Sequence, residues 1–216
     1  MGLLDVLIPP ACAGCGRAGT LLCGDCVRRF EPPGRPDDRF VAADPGAVIG
    51  DSLVLALCAF AYRGPVRRAL AALKYTGAAR IAPMLAAAAL PALGPLLAIT
   101  GPATLVPVPV HAQRRRERGY DQADLLAGAI GTRAGLEVDS CLRRTRPTTK
   151  QHRLDRAARL ANLRGAFGIA PGAAVPPVAI VVDDIITTTA TLEACASVLR
   201  DAGARSVYGF AVAREV

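Results

Sequence analysis

Apolar positions in this chain fall into two rhythms, unbroken runs and recurrences every three or four residues. The run Leu53-Val54-Leu55-Ala56-Leu57-Cys58-Ala59-Phe60-Ala61-Tyr62 predicts a strand between Asp51 and Tyr62, which Gly64-Pro65 breaks. From Val66 to Tyr75 the apolar Val66, Leu70 and Leu73 alternate with Arg67, Arg68 and Lys74 at helical spacing, and Gly77 is placed to end that helix. A further helix is predicted over about 79–90. Thr104 to Val108 is β-rich and opens onto a basic loop, and helical spacing returns from Gly119 to Thr132 through Ala123, Leu126, Ala127 and Ile130. A short strand is expected near Leu136–Val138. Arg143 to Arg164 is basic with few apolar anchors, and Pro171 to Pro177 reads as a loop. Val178-Ala179-Ile180-Val181-Val182 is the kind of continuous run that a central parallel strand, buried on both faces, requires. A helix from about Thr191 to Ala202, capped by Gly203, and a strand from Ser206 to Val212 complete a βαβ unit. The fold class is therefore α/β, a parallel sheet flanked by helices.

Ile81 to Val110 holds no charged side chain and is long enough to span a bilayer. It also holds Pro83, Pro91, Pro95, Pro102, Pro107 and Pro109, which remove backbone hydrogen bonds that lipid cannot replace. A buried helix, a turn and a strand are expected there rather than a membrane span.

Composition adds bounds. The chain has 216 residues, 52% of them hydrophobic and only 4% aromatic, with no Trp. It can bury a core, and that core is built from Ala, Leu, Val and Ile. Residues 31–50, rich in Pro, Asp and Gly, read as a linker, which divides the chain into 1–50 and 51–216. The net charge of +8 points to anionic partners, either phosphorylated metabolites or a nucleic-acid backbone. The basic residues are nearly all Arg, whose fork suits bidentate phosphate contacts; a genome-wide bias toward Arg and Ala accounts for the same composition. The first ten residues lack a basic start, and their short apolar run is broken by Asp5, so a reducing, cytoplasmic setting is expected.

That setting bears on the cysteines. Cys12-Ala13-Gly14-Cys15 and Cys23-Gly24-Asp25-Cys26 are two CxxC knuckles close together. Four thiolates at this spacing predict a closed tetrahedral zinc site, structural because no coordination position stays open. Two disulfides are the alternative, which a reducing compartment disfavours. Cys58, Cys141 and Cys195 lack such spacing and read as small buried hydrophobes.

The segment after the buried strand carries the second chemistry. Asp183 and Asp184 stand where parallel sheets bind ligands, and Thr187-Thr188-Thr189-Ala190-Thr191 follow. The carboxylates can accept hydrogen bonds from two vicinal ribose hydroxyls. The turn and helix start offer N–H groups, and Thr187, Thr188 and Thr191 offer hydroxyls, to a phosphate dianion. A helix-capping Asp with solvated hydroxyls accounts for one acidic residue and one Thr, not for two adjacent Asp and four Thr.

This segment resembles the phosphoribosyl diphosphate (PRPP) loop of type I phosphoribosyltransferases. Further residues narrow the resemblance: the four Cys, Leu73-Lys74-Tyr75-Thr76-Gly77, Val106-Pro107-Val108-Pro109, Arg118-Gly119-Tyr120-Asp121-Gln122-Ala123, Arg144-Thr145-Arg146-Pro147 with Gln151, then Arg156, Asn162 and Gly165-Ala166-Phe167. On these, from Cys12 nearly to the end, the chain is identified as a member of the ComF family, bacterial proteins related to amidophosphoribosyltransferase and to competence proteins for DNA uptake.

The resemblance implies a type I phosphoribosyltransferase fold, PRPP with Mg²⁺ as ligand, and transfer to an acceptor that the sequence does not name. It gives Asp183 and Asp184 to the ribose and Thr187, Thr188, Thr189, Ala190 and Thr191 to the 5-phosphate. Arg114, Arg118 and Gly119 fall to the pyrophosphate, and Arg144, Lys150 and Gln151 to a mobile loop over the reaction centre. A non-enzymatic alternative is a PRPP- or nucleotide-binding adaptor in DNA uptake or handling; a dimer is compatible with either. The family pattern has Gly where this chain has Thr189. Gly there permits positive φ and close approach to phosphate, so two outcomes are open: Thr189 weakens PRPP binding or abolishes turnover, or the loop reshapes and uses the Thr189 hydroxyl. His111 and His152 receive no role.

Overall fold

A computed structural model describes residues 9–34, 52–75, 78–146, 163 and 165–215. The linker core, Thr76, Gly77, Lys150, Gln151, His152, Arg156 and Asn162 lie outside the described residues.

The elements are α1 (Gly24–Arg28), β1 (Leu53–Ala61), α2 (Gly64–Tyr75), a 3₁₀ turn (Ala79–Ile81), α3 (Ala82–Thr100), β2 (Thr104–Pro107), α4 (Ala112–Arg118), α5 (Gln122–Ala134), β3 (Leu142–Arg144), β4 (Phe167–Ile169), β5 (Val178–Ile186), α6 (Ala190–Asp201) and β6 (Ser206–Arg214). Four strands form one sheet in the order β1-β6-β5-β2, every neighbouring pair parallel. β3 and β4 pair separately and antiparallel. The predicted α/β class and parallel sheet are present.

Alternation along β5 sorts the core into two layers. Ile180 and Val182 pack with Leu70 and Leu73 of α2, Leu85 and Leu93 of α3, and Leu126 and Ile130 of α5. Ala179 and Val181 face the other way, into a cluster with Leu192, Cys195 and Leu199 of α6 and Phe167 of β4. Cys58, Cys141 and Cys195 are fully buried, as their lack of spacing implied. The cysteine segment is tied to the first layer, where Cys12, Leu22, Cys23, Cys26 and Phe30 join the same cluster. Phe30 meets Phe60 of β1 edge-on at 5.0 Å between centroids.

Several elements differ from the sequence reading. α3 does not stop near residue 90; it runs to Thr100 through Pro91 and Pro95. Those prolines share an exposed side with Pro83 and Ala87 at i, i+4 spacing, while Leu85, Ala86, Ala89, Leu93 and Leu96 bury the opposite side. Hydrogen bonds lost to proline thus face outward, and burial outweighs propensity. By length and composition α3 and the preceding turn suffice to cross a membrane, and the six buried residues pack on the sheet and α5 instead. The basic loop after β2 is mostly helix α4, because arginines are good helix formers and Gly119 ends it at φ 82. The strand expected near Leu136–Val138 is one isolated bridge from Val138 to Leu105. β5 continues past Val182 to Ile186, so Asp183 and Asp184 belong to the strand, held there by pairing with β6.

Candidate functional site

The helices that follow the two neighbouring strands β2 and β5 cover opposite faces: α5 lies in the first layer and α6 in the second. The carboxyl ends of β2 and β5 are therefore the topological switch point, the crevice position at which open α/β sheets bind ligands. Asp183 and Asp184 lie near the carboxyl end of β5, at this position.

Consecutive strand residues point to opposite faces. Asp184 turns to the first layer and accepts a hydrogen bond from Lys74 Nζ at the end of α2, 3.0 Å from Oδ2. The two side chains are 10% and 22% exposed, so the pair is sheltered from solvent. Burial lowers the Lys74 pKa, but Asp184 and then Asp183 outweigh it and the net shift is upward. Asp183 turns to the second layer. Burial, joined by the Asp184 charge, raises its carboxyl well above the usual range, with Lys74 opposing. Its Oδ1 accepts from the Asp184 N–H at 2.8 Å.

Of the predicted cations, Arg144 interacts electrostatically with Asp183. Burial and then Arg114 lower the Arg144 pKa, while Cys195, Asp183 and Asp121 act in the opposite direction. Arg144 thus lies among these groups, with its guanidinium 5.1 Å from the Phe167 ring. It ends β3 rather than belonging to the loop proper. Beside it Thr145 donates from N to Ala166 O (2.9 Å) and from Oγ1 to Gly165 O (2.6 Å), clasping both sides of the 146–164 segment. Arg118 lies over the Tyr75 ring at 5.7 Å and donates to Gln122 Oε1 at 2.8 Å. Tyr120 Oη donates to Leu73 O at 2.7 Å. Buried Asp121 caps α5 by accepting from Ala123 N–H and holds the loop after β2 by accepting from Val110 N–H at 2.8 Å.

Across the crevice the chain turns through Thr187 and Thr188 into α6. Thr187 is exposed, Thr188 and Thr191 are half-buried, and Thr189 and Ala190 are buried. Thr189 adopts φ −70, ψ −4, so the threonine in place of the family's Gly carries no backbone strain. The first N–H groups of α6 have no intrahelical acceptor and face the turn.

The four cysteines form a second, separate site. Their sulfurs all lie within 4.8 Å of one another, and Cys15 Sγ and Cys23 Sγ are 3.8 Å apart. A tetrahedron with bonds of about 2.3 Å has edges of about 3.8 Å, so the cluster can hold a zinc ion. Gly14 is required, because a β-carbon there would sit 2.6 Å from Cys26 Sγ. Burial raises the Cys12 thiol, but N–H donors from Cys23, Gly14 and Cys15 outweigh it and bring it down to about 6. Burial and the neighbouring thiols push Cys26 up to about 12. A divalent cation at the centre favours all four thiolates.

No protein-family model matches the chain. It is 31% identical over 211 residues to the DNA utilization protein YhgH of Salmonella typhi, covering 94% of this chain and 83% of that protein. The chain belongs to the ComF family. A second YhgH, from Escherichia coli K12, is 29% identical over 214 residues. Competence protein F of Haemophilus influenzae is 33% identical over 116 residues, 52% of this chain and about half (51%) of that protein.

Two ComF-family residues that sequence reasoning left without a role stand at the site, Lys74 and Asp121. Both lie inside quoted motifs, but their partners are remote in sequence or are backbone groups. His111 caps α4, its Nδ1 accepting from Gln113 N–H at 3.4 Å.

Proposed function

We propose that this chain binds PRPP at the β2/β5 crevice and transfers its phosphoribosyl group to an acceptor. The observation that carries the reading is the meeting of an acidic pair, arginines from two segments and a helix N-terminus at a switch point. Asp183 and Asp184 accept from the ribose hydroxyls. Thr187, Thr188, Thr191 and the N–H groups of α6 take the 5-phosphate, an arrangement suited to a dianion. Arg114 and Arg118, with the Gly119 turn, hold the diphosphate, and Arg144 adds charge beside it. The acceptor attacks C1 as the C1–O bond breaks and diphosphate departs with the electron pair, and the acceptor's proton passes to the departing diphosphate or to water. Catalysis comes from positioning and charge stabilisation of that leaving group. Mg²⁺ bound with the diphosphate supplies further neutralisation, and the acidic pair is chemically suited to lie near it.

Calorimetric titration of the zinc-loaded chain with PRPP and Mg²⁺ tests this beside the Asp183→Asn/Asp184→Asn variant. Binding that the variant loses supports the reading; no binding by the intact chain, or equal binding by the variant, rejects it.

A second reading is a ligand-binding adaptor in DNA handling. The relatives' names favour it, as do exposed Arg115 and Arg116 on α4, Arg143 on β3 and Arg146 just beyond it. DNA affinity that falls steeply with salt is its expected signature, and a flat dependence removes it.

A further inference from the structure

α2 touches both sites. Near its start, Arg68 Nε donates to Gly14 O inside the first CxxC knuckle. Gly14 also lies against Pro65; a β-carbon on it would be 3.3 Å from Pro65 Cβ. At its end, Lys74 is bonded to Asp184, Leu73 O accepts from Tyr120, and the Tyr75 ring lies under Arg118. Between them Val66, Ala69, Leu70 and Leu73 are fully buried. Arg68 and Lys74 lie six positions apart, about 9 Å of helix at 1.5 Å per residue. A hydrogen-bonded helix packed this tightly moves as one body, so a change at one end reaches the other.

We propose that α2 couples the cysteine cluster to the acidic pair: with a metal in the cluster, the first knuckle holds Arg68 and Pro65, and that contact keeps Lys74 seated on Asp184. Arg68 and Lys74 are positioning residues in this scheme. Losing the metal frees the knuckle, lets α2 shift, and separates the ammonium from the carboxylate. The crevice is then organised for an anionic sugar-phosphate ligand only when the cluster is filled. This last statement rests on the proposed ligand; the coupling does not.

Hydrogen-exchange mass spectrometry of the full chain, zinc-loaded and chelated, separates the two. In the wild type, chelation should speed exchange about tenfold at Leu73–Tyr75 and at Asp183–Ile186, the change expected from loss of a local contact network. Arg68→Ala should keep one zinc per chain, yet show the fast exchange at both segments with zinc present and change less than about twofold on chelation. Arg17→Ala, which breaks an exposed ion pair with Asp25 in the same knuckle region, should behave as wild type. If chelation unfolds the whole chain, exchange rises at α5 and β2 too, and zinc-loaded Arg68→Ala decides alone. Wild-type exchange rates in zinc-loaded Arg68→Ala overturn the coupling. In the ligand arm, chelation should weaken PRPP binding about tenfold, and PRPP should tighten zinc by the same factor, since coupling is reciprocal. Failure of PRPP to bind removes the ligand reading and leaves the exchange result standing.

Discussion

The cysteine cluster and the acidic crevice are built on opposite plans. The cluster draws all its ligands from Cys12 to Cys26, and its geometry is a property of one tight turn and the first turn of α1. The crevice draws on Lys74, Arg114, Arg118, Arg144, Asp183 and Asp184 from four separate elements, and only the completed fold brings those elements together. A local site is specified by spacing and fails as a unit. A distributed site is specified by topology and fails by increments, because each element has its own reasons to fold.

The largest effect should come from Cys26→Ser. It removes one of four ligands and leaves three thiols around a weakened site; bound zinc should fall below one per chain, and stability by about 4 kcal/mol or more, measured by metal analysis and urea unfolding. Retained zinc at full stoichiometry would mean the cluster is not closed by all four.

In the crevice, Lys74→Met strands a sheltered carboxylate. Breaking a buried pair on one side costs about 3–5 kcal/mol, and partial exposure of Lys74 reduces that to about 2 kcal/mol. Adding Asp184→Asn should recover most of the loss, and the double-mutant cycle reads the difference. Absence of recovery would show that Lys74 stabilises by packing alone.

The raised carboxyl of Asp183 gives a pH signature. A group that holds its proton more tightly when folded lends stability that is greatest at low pH and is lost as pH rises through the raised value. Stability should therefore decline by up to about 1.4 kcal/mol per pH unit above the ordinary carboxylate range, and Asp183→Asn should flatten that decline. The comparison is urea unfolding of both proteins from pH 4.5 to 8, values chosen at about the ordinary carboxylate range and above.

The smallest effect belongs to Thr189→Gly. The native φ of −70 needs no glycine, so the change only adds backbone freedom and empties a buried position, at about 1 kcal/mol seen by thermal unfolding. A gain in stability would mean that Thr189 is strained after all.

The same contrast decides what was legible in the sequence. Cysteine spacing alone placed the metal cluster, because the ligands are neighbours in the chain. The β5 run announced a buried parallel strand, and with it the end where ligands bind. Its length was underestimated, because Asp is rare in strands and nothing in Asp183-Asp184 signals that β6 pairs with them. Proline likewise hid the second half of α3, since local propensity cannot show which side of a helix is exposed. Helix α4 is invisible to the hydrophobic pattern, because it lacks an apolar stripe and none of its residues is buried. The Lys74–Asp184 contact was out of reach, as no local pattern joins residues of α2 and β5.

The strand order carries a further consequence for synthesis. Among the described residues β1 has one partner in the sheet, β6, and Leu53 pairs with Val207. A ribosome adding about 5–20 residues per second makes β6 on the order of ten seconds after β1. Through that interval the uncharged run Leu53–Ala61 waits with both edges unpaired, the kind of segment that sticks to its own copies. Production of this protein should accordingly respond to translation speed and to holding chaperones more than its finished stability suggests.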